Sequence, residues 1–133
     1  MRKRYVIDAG PLFLFFSGKN ELKEYFEDTY EGKAEMYMSE VNLAELLYLL
    51  AQRLGKDVAV ARHRYIRSSP IRVVPTNERI TEEAALLKSR FSHISLADAF
   101  LIATAKEVKG TVITTDSGVE STGVVETIVI PLD

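Results

Sequence analysis

Four acids in this chain, Asp8, Glu45, Asp98 and Asp116, occupy positions from which their carboxylates could converge. Asp8 directly follows the β-prone run Tyr5-Val6-Ile7, and Asp116 closely follows Thr111-Val112-Ile113-Thr114. Glu45 and Asp98 fall in the first turns of two predicted helices, after Asn42 and Ser95. In an open α/β sheet, strand carboxyl ends and helix starts meet at one rim, where ligands bind. Two carboxylates about 4 Å apart repel by roughly 4 kcal/mol at an effective dielectric near 20. A group of three or four therefore requires protons or a cation between them, and a divalent metal is the simpler solution. All-oxygen ligation points to Mg²⁺ or Mn²⁺. Such a site acidifies a bound water and offsets charge on a phosphodiester during in-line attack. The chemistry implied is phosphodiester hydrolysis.

Each acid taken singly has a plainer explanation. Asn42-Leu43-Ala44-Glu45 and Ser95-Leu96-Ala97-Asp98 both fit a helix start in which a cap residue and an acid three positions later satisfy backbone donors, and acids are favoured in first turns generally. Asp8 and Asp116 read equally well as turn residues. The chemical reading is collective, because all four fall at one predicted rim.

The elements that must position them alternate. The strand Tyr5 to Ile7 leads through Asp8-Ala9-Gly10-Pro11 into a helix with proline in its first turn. A polar helix is predicted over Glu21 to Glu31, ended by Gly32, and a short strand over Glu35 to Met38. Leu43, Leu46, Leu47, Leu50 and Leu54 recur at helical spacing over Asn42 to Leu54, with Gly55 as the stop. A helix over Asp57 to Ser68 ends before Pro70 and the strand Ile71 to Val74. Helices over Thr81 to Phe91 and Ser95 to Val108 precede the strand Thr111 to Thr114, and Val124 to Pro131 suits a closing strand. The pattern predicts one α/β domain over residues 1–133, with a mostly parallel sheet of about five strands covered by helices on both faces.

Composition narrows the chemistry. With 133 residues, 47% of them apolar, the chain can bury one substantial core. The lack of cysteine excludes disulfides, thiolate zinc sites and thiol nucleophiles, so any metal must sit on oxygen or histidine. The opening Met1-Arg2-Lys3-Arg4 resembles a secretory signal start, but Asp8 and Gly10-Pro11 interrupt the apolar stretch, and no run is long enough to span a bilayer. A cytoplasmic location is expected. Net charge near −2 weighs against a strong nonspecific nucleic-acid binder. Arg62, His63, Arg64 and Arg67 nevertheless form one local basic cluster, which fits a solvated helix face and an RNA-binding face equally. Leu12-Phe13-Leu14-Phe15-Phe16 is apolar on every side of its helix, more than one core-facing stripe needs. Either the helix is buried on both sides, or part of it is an interface. Tyr37, Tyr48 and Tyr65 read as core or rim aromatics, and the lone His63 and His93 are given no catalytic or metal role.

Tyr5-Val6-Ile7-Asp8-Ala9, the stretch Ser39 to Leu47 around Glu45, Ser95-Leu96-Ala97-Asp98-Ala99 and Ile113-Thr114-Thr115-Asp116 together resemble, in order and separation, the four acidic motifs of PIN-domain proteins. The likeness covers nearly the whole chain and is greatest to VapC-type toxins of toxin-antitoxin pairs, which consist of one PIN domain of about this length. The resemblance implies Mg²⁺ or Mn²⁺ held by Asp8, Glu45, Asp98 and Asp116, endonucleolytic cleavage of RNA, and Thr114 as the supporting hydroxyl residue. Within that set Asp8 and Asp98 are the expected direct ligands, with Glu45 and Asp116 acting through water or on a second metal. It also implies a homodimer and a small antitoxin partner whose tail lies across the active-site groove. Exposed parts of Leu12 to Phe16 would then serve either contact. Two departures stand out. Many relatives carry a hydroxyl residue within two positions of the first acid, where this chain has Ala9-Gly10, and another acid soon after the last, where Ser117-Gly118-Val119 follows and Glu120 is a distant substitute. One hydrogen bond to the first carboxylate is therefore expected to be missing, and a weaker or single-metal site is expected.

Two rival functions share parts of this pattern. A phosphatase would need a second aspartate two residues after Asp8, where Gly10 stands, and no lysine-bearing phosphate loop is present. The stronger rival is a catalytically silent PIN-like module that binds RNA or a protein without cutting.

Overall fold

Tyr5 and Ile7 face one side of the central strand and Val6 the other, and this two-residue alternation divides the core into two layers. The computed structural model describes residues 2–132. The first strand, β1 (Lys3–Ile7), runs into α1 (Ala9–Phe16) and α2 (Lys23–Tyr30); β2 (Ala34–Ser39) then leads into α3 (Glu40–Leu54) and α4 (Lys56–Ser68). After β3 (Arg72–Val74) come α5 (Glu78–Arg90) and α6 (Leu96–Val108), then β4 (Thr111–Thr114), α7 (Ser117–Ser121) and β5 (Thr127–Val129). The five strands pair in the order β3-β2-β1-β4-β5, all parallel. The expected α/β architecture with a parallel five-stranded sheet is the one observed.

One layer packs Tyr5, Ile7, Met36, Met38 and Ile113 against Leu12 of α1, Phe26 of α2, Leu43, Leu46 and Leu50 of α3 and Ile66 of α4. The other packs Val6 and Val112 against Ile80, Ala84 and Leu87 of α5, Leu101 and Ile102 of α6 and Val119 of α7. Each side chain buried in this way contributes about 1.5–3 kcal/mol, so the strands carrying the two aspartates are clamped from above and below. The strand order reverses between β1 and β4, whose register pairs Val6 with Val112 and Ile7 with Ile113. That reversal opens the ligand crevice of a doubly wound sheet at the carboxyl ends of these two strands.

Several boundaries differ from the sequence expectations. The helix expected from Asn42 begins at Glu40, because Ser39 caps it by accepting from the Asn42 amide at 3.1 Å. Glu45 is consequently not the acid of a capping box but lies in the second turn. The helix expected from Thr81 begins at Glu78, capped by Asn77 on the Ile80 amide at 2.8 Å. The closing strand is shorter than Val124 to Pro131, and α7 was not expected at all, since Gly118 inside so short a segment reads as a turn. On α1, Leu12 is buried while Phe13 to Phe16 are half-buried, so the helix is not enclosed on both sides. No helix among the described residues is long and apolar enough to cross a membrane.

Candidate active site

Three helix starts bring Asp8, Asp98 and Asp116, and the second turn of a fourth helix brings Glu45. Asp8 is the N-cap of α1 and accepts from the Ala9 amide at 2.7 Å. Asp116 is the N-cap of α7 and accepts from the Gly118 amide at 2.7 Å. Asp98 completes a capping box at the start of α6: its amide donates to Ser95 Oγ at 3.0 Å, and its carboxylate receives the Ser95 amide at 3.4 Å. Glu45 projects from the second turn of α3. The capping explanation thus holds for Asp98, and Asp8 and Asp116 prove to be caps as well. Capping does not exclude chemistry, since helix N-termini favour the negative charge that would hold a cation.

Thr114 ties two of the acids together. Its hydroxyl donates to Asp8 Oδ2 at 2.7 Å and accepts from the Asp116 amide at 3.0 Å. The hydrogen bond expected to be missing at Ala9-Gly10 therefore has a counterpart: the Asp8 carboxylate accepts two, one on each oxygen. Replacing Thr114 by Val leaves the Asp116 amide without this acceptor and Asp8 with one bond fewer. A loss of about 1–3 kcal/mol is expected, read as a lower melting temperature. The loss should be larger near pH 7.5 than near pH 5, because the hydroxyl stabilises the ionised form of Asp8.

Burial sets the electrostatics. The Asp8 carboxyl is pushed up to about 6, first by burial, with the bonds from Thr114 and Ala9 opposing and the charges of Glu45 and Asp116 adding. Asp98 is pushed up to about 7, first by burial, then by a hydrogen bond shared with the Asp116 side chain, then by the charges of Asp8 and Asp116. Glu45 is raised by burial and by Asp98, against a lowering hydrogen bond from Asn42. The four acids therefore feel one another as a group. Among the described residues none of them forms an ion pair with Lys, Arg or His.

Among the described residues no three of these side chains are placed closely enough to enclose a metal ion by themselves. The donor chemistry nevertheless fits a hard divalent cation: every candidate donor is a carboxylate oxygen, and the group has repulsion to relieve. Mg²⁺ keeps several waters and needs only one or two direct carboxylates, so pairwise approach is compatible with such an ion.

Asn42 was not foreseen as part of the site. It is fully buried in the first turn of α3, and its Nδ2 donates to the Ala97 carbonyl at 3.2 Å, fastening α3 to the start of α6 beside Asp98. Its Oδ1 has no partner among the described residues. A poor helix former three residues before Glu45 is the available signal, and it fits a helix cap equally well. His93 also has a positioning place, with Nε2 at 3.1 Å from both the Gly118 carbonyl and Ser121 Oγ, holding α7 and hence Asp116.

Residues 5–124 match the family model described as the PIN domain. No curated protein gives a significant match. Among solved structures, a DNA-bound VapBC complex from Salmonella typhimurium contains a similar chain at TM-score 0.78 and 17% identity, over 96% of this chain and 98% of that one. A sarcin-ricin loop cleaving toxin from Mycobacterium tuberculosis superposes at TM-score 0.72 and 20% identity, over 92% and 97%. The FitAcB structure from Neisseria gonorrhoeae matches at TM-score 0.69 and 20% identity, over 93% and 96%. At these identities the likeness concerns the fold.

Proposed function

The chain belongs to the PIN-domain family, and on that premise we propose that it is a Mg²⁺- or Mn²⁺-dependent endoribonuclease, the toxin member of a VapBC-type pair. The observation that carries this reading is the set of four acids at the β1/β4 crevice, two of them pushed up to about 6 and about 7, with no cationic side chain paired to them among the described residues. A protein keeps such an arrangement at a cost in stability, and a cation that brings a phosphodiester is the function that uses it.

In this reading Asp8 and Asp98 hold the ion directly, while Glu45 and Asp116 act through water or on a second ion. When bound, the ion supplies positive charge to the scissile phosphate and acidifies a water. The chain's own contributions follow from its hydrogen bonds. Thr114 fixes the rotamer of Asp8 and the backbone of Asp116. Asn42 holds the α3 and α6 starts together, so that Glu45 and Asp98 keep their separation.

The structural relatives supply the biological side of the proposal. One is described as a sarcin-ricin loop cleaving toxin, another as a toxin-antitoxin complex, and others as VapBC complexes bound to DNA. By analogy a small antitoxin protein is the expected partner, with a homodimer as the expected state and the cytoplasm as the place of action. The deciding experiment incubates a mixed RNA pool with the protein in Mg²⁺, in Mn²⁺ and in excess chelator. Discrete cleavage in either metal, absent with chelator, is expected. No cleavage under any condition, together with a melting temperature that metal leaves unchanged, would favour the silent binding module.

A further inference from the structure

We propose that the face of α1 leading away from the acids is a track for single-stranded RNA, in which Arg53 and Arg62, each laid on a phenylalanine ring, grip the nucleotides flanking the scissile phosphate. The substrate class rests on the nuclease reading above. The track itself rests on separate observations. A groove of about 360 Å³ is lined by Gly10, Phe13, Leu49, Arg53 and Thr115, among others. None of the four acids lines this groove, but Gly10 is two residues past Asp8 and Thr115 immediately precedes Asp116, so two of its lining residues adjoin acids along the chain. A Cβ at position 10 would stand 2.6 Å from Thr115 Oγ1. A side chain at this position would press on the Thr115 hydroxyl, and Gly10 leaves that end of the groove open.

Outward from that end the surface repeats one arrangement. The Arg53 guanidinium carbon lies 5.6 Å from the Phe13 ring centroid, and that of Arg62 lies 4.7 Å from the Phe16 centroid. Phe13 and Phe16 are three residues apart and therefore neighbours on one helix face, which makes the two ring-paired cations neighbours as well. Neither arginine forms an ion pair among the described residues, whereas Arg67 on the same helix as Arg62 is held by Glu40 at 2.7 Å. A guanidinium held near a ring in this way keeps N–H donors free for a phosphate, and positive grooves with aromatic platforms are how proteins hold single strands. The charge also complements the reaction: a polyanion brought to a carboxylate-rich rim is repelled by the rim, and a cationic run beside it offsets that repulsion. The excess of apolar residues over Leu12 to Phe16 acquires a purpose beyond the core.

The test measures binding directly, so that it does not depend on cutting. A fluorescein-labelled single-stranded RNA decamer is titrated with Asp98→Asn protein, alone and with Arg53→Ala, Arg62→Ala or Phe13→Leu added, at several salt concentrations. Each arginine replacement is expected to weaken binding about tenfold and to lower the slope of log affinity against log salt by about 0.7. Phe13→Leu, which preserves apolar packing, is expected to weaken binding less and leave the slope unchanged. In the cutting protein Arg53→Ala is expected to raise KM more than it lowers kcat. If both arginine variants bind with the parent's affinity and slope, or if the parent fails to bind the decamer, the track is wrong, even where wild-type protein cuts RNA. If RNA binding is unmoved and Phe13→Ser instead dissociates a dimer, the face is a contact between copies of the chain. Should binding weaken as expected while wild-type protein never cuts, the track stands and the nuclease reading falls.

Discussion

Asp98→Asn is expected to abolish metal-dependent RNA cleavage while raising the melting temperature of the metal-free protein near pH 7.5. The two effects share one cause. Asp98 is buried and faces Asp116 and Asp8, and its carboxyl is raised to about 7. Near pH 7.5 it is largely ionised, at a cost that the fold carries. Asparagine keeps the shape and retains an oxygen to accept the Ser95 amide, so the capping box at the start of α6 survives. What goes is one negative charge. The relief is roughly 1–2 kcal/mol after discounting for solvent at the rim, a rise of several degrees for a domain of this size. Cleavage should fall about 10²- to 10³-fold, the loss typical of removing one group that stabilises charge at the reacting centre. Thermal melts and initial rates on the same preparations check both. A variant that melts lower and cuts normally would show Asp98 to be a helix cap alone.

The acids were legible in the sequence because strand carboxyl ends and helix starts can be read from β-prone runs and capping patterns, and the sheet order then delivers them to one crevice. Parallel topology also followed from alternation of elements, since a helix between two strands forces a crossover. What the sequence left open was local. Ser39 rather than Asn42 caps α3, because the chain leaves β2 directly into the helix and the cap belongs to the last strand residue. That shift of the cap by three residues makes Asn42 a buried tie between α3 and α6 instead of a surface cap, a contact across 55 residues that no short pattern encodes. The short α7 escaped for a similar reason: it is held by the Asp116 cap and by His93, a residue that looked isolated until the loop before α6 folded over it. The double role of the aspartates as caps and candidate ligands could not be separated in one dimension, because the same helix dipole favours both.

The metal-free protein should lose stability as pH rises from about 5 to about 7.5, and divalent metal should restore it only at the upper end. Asp8 and Asp98 bind protons more tightly in the folded state than in the unfolded chain, whose aspartates titrate near the ordinary value of 3.8. Between that value and the raised ones, the folded form holds more protons. Stability therefore falls with rising pH across the interval, opposite to the usual behaviour of salt-bridged carboxylates. Asp8 accounts for about 1 kcal/mol between pH 5 and 7.5 and Asp98 for about 2–3 kcal/mol before solvent screening at the rim, so a discounted total of roughly 2 kcal/mol, a drop of about 6–10 °C, is expected. Mg²⁺ or Mn²⁺ competes with those protons. Near pH 5 the site is largely protonated and metal should shift the melting temperature little; near pH 7.5, with the carboxylates ionised, saturating metal should recover most of the loss. Asp8→Asn should flatten the pH dependence and blunt the metal response together. A metal-free protein that grows more stable from pH 5 to pH 7.5 would mean the acids are compensated by something other than protons or a cation, and the crevice would lose its claim to be a metal site.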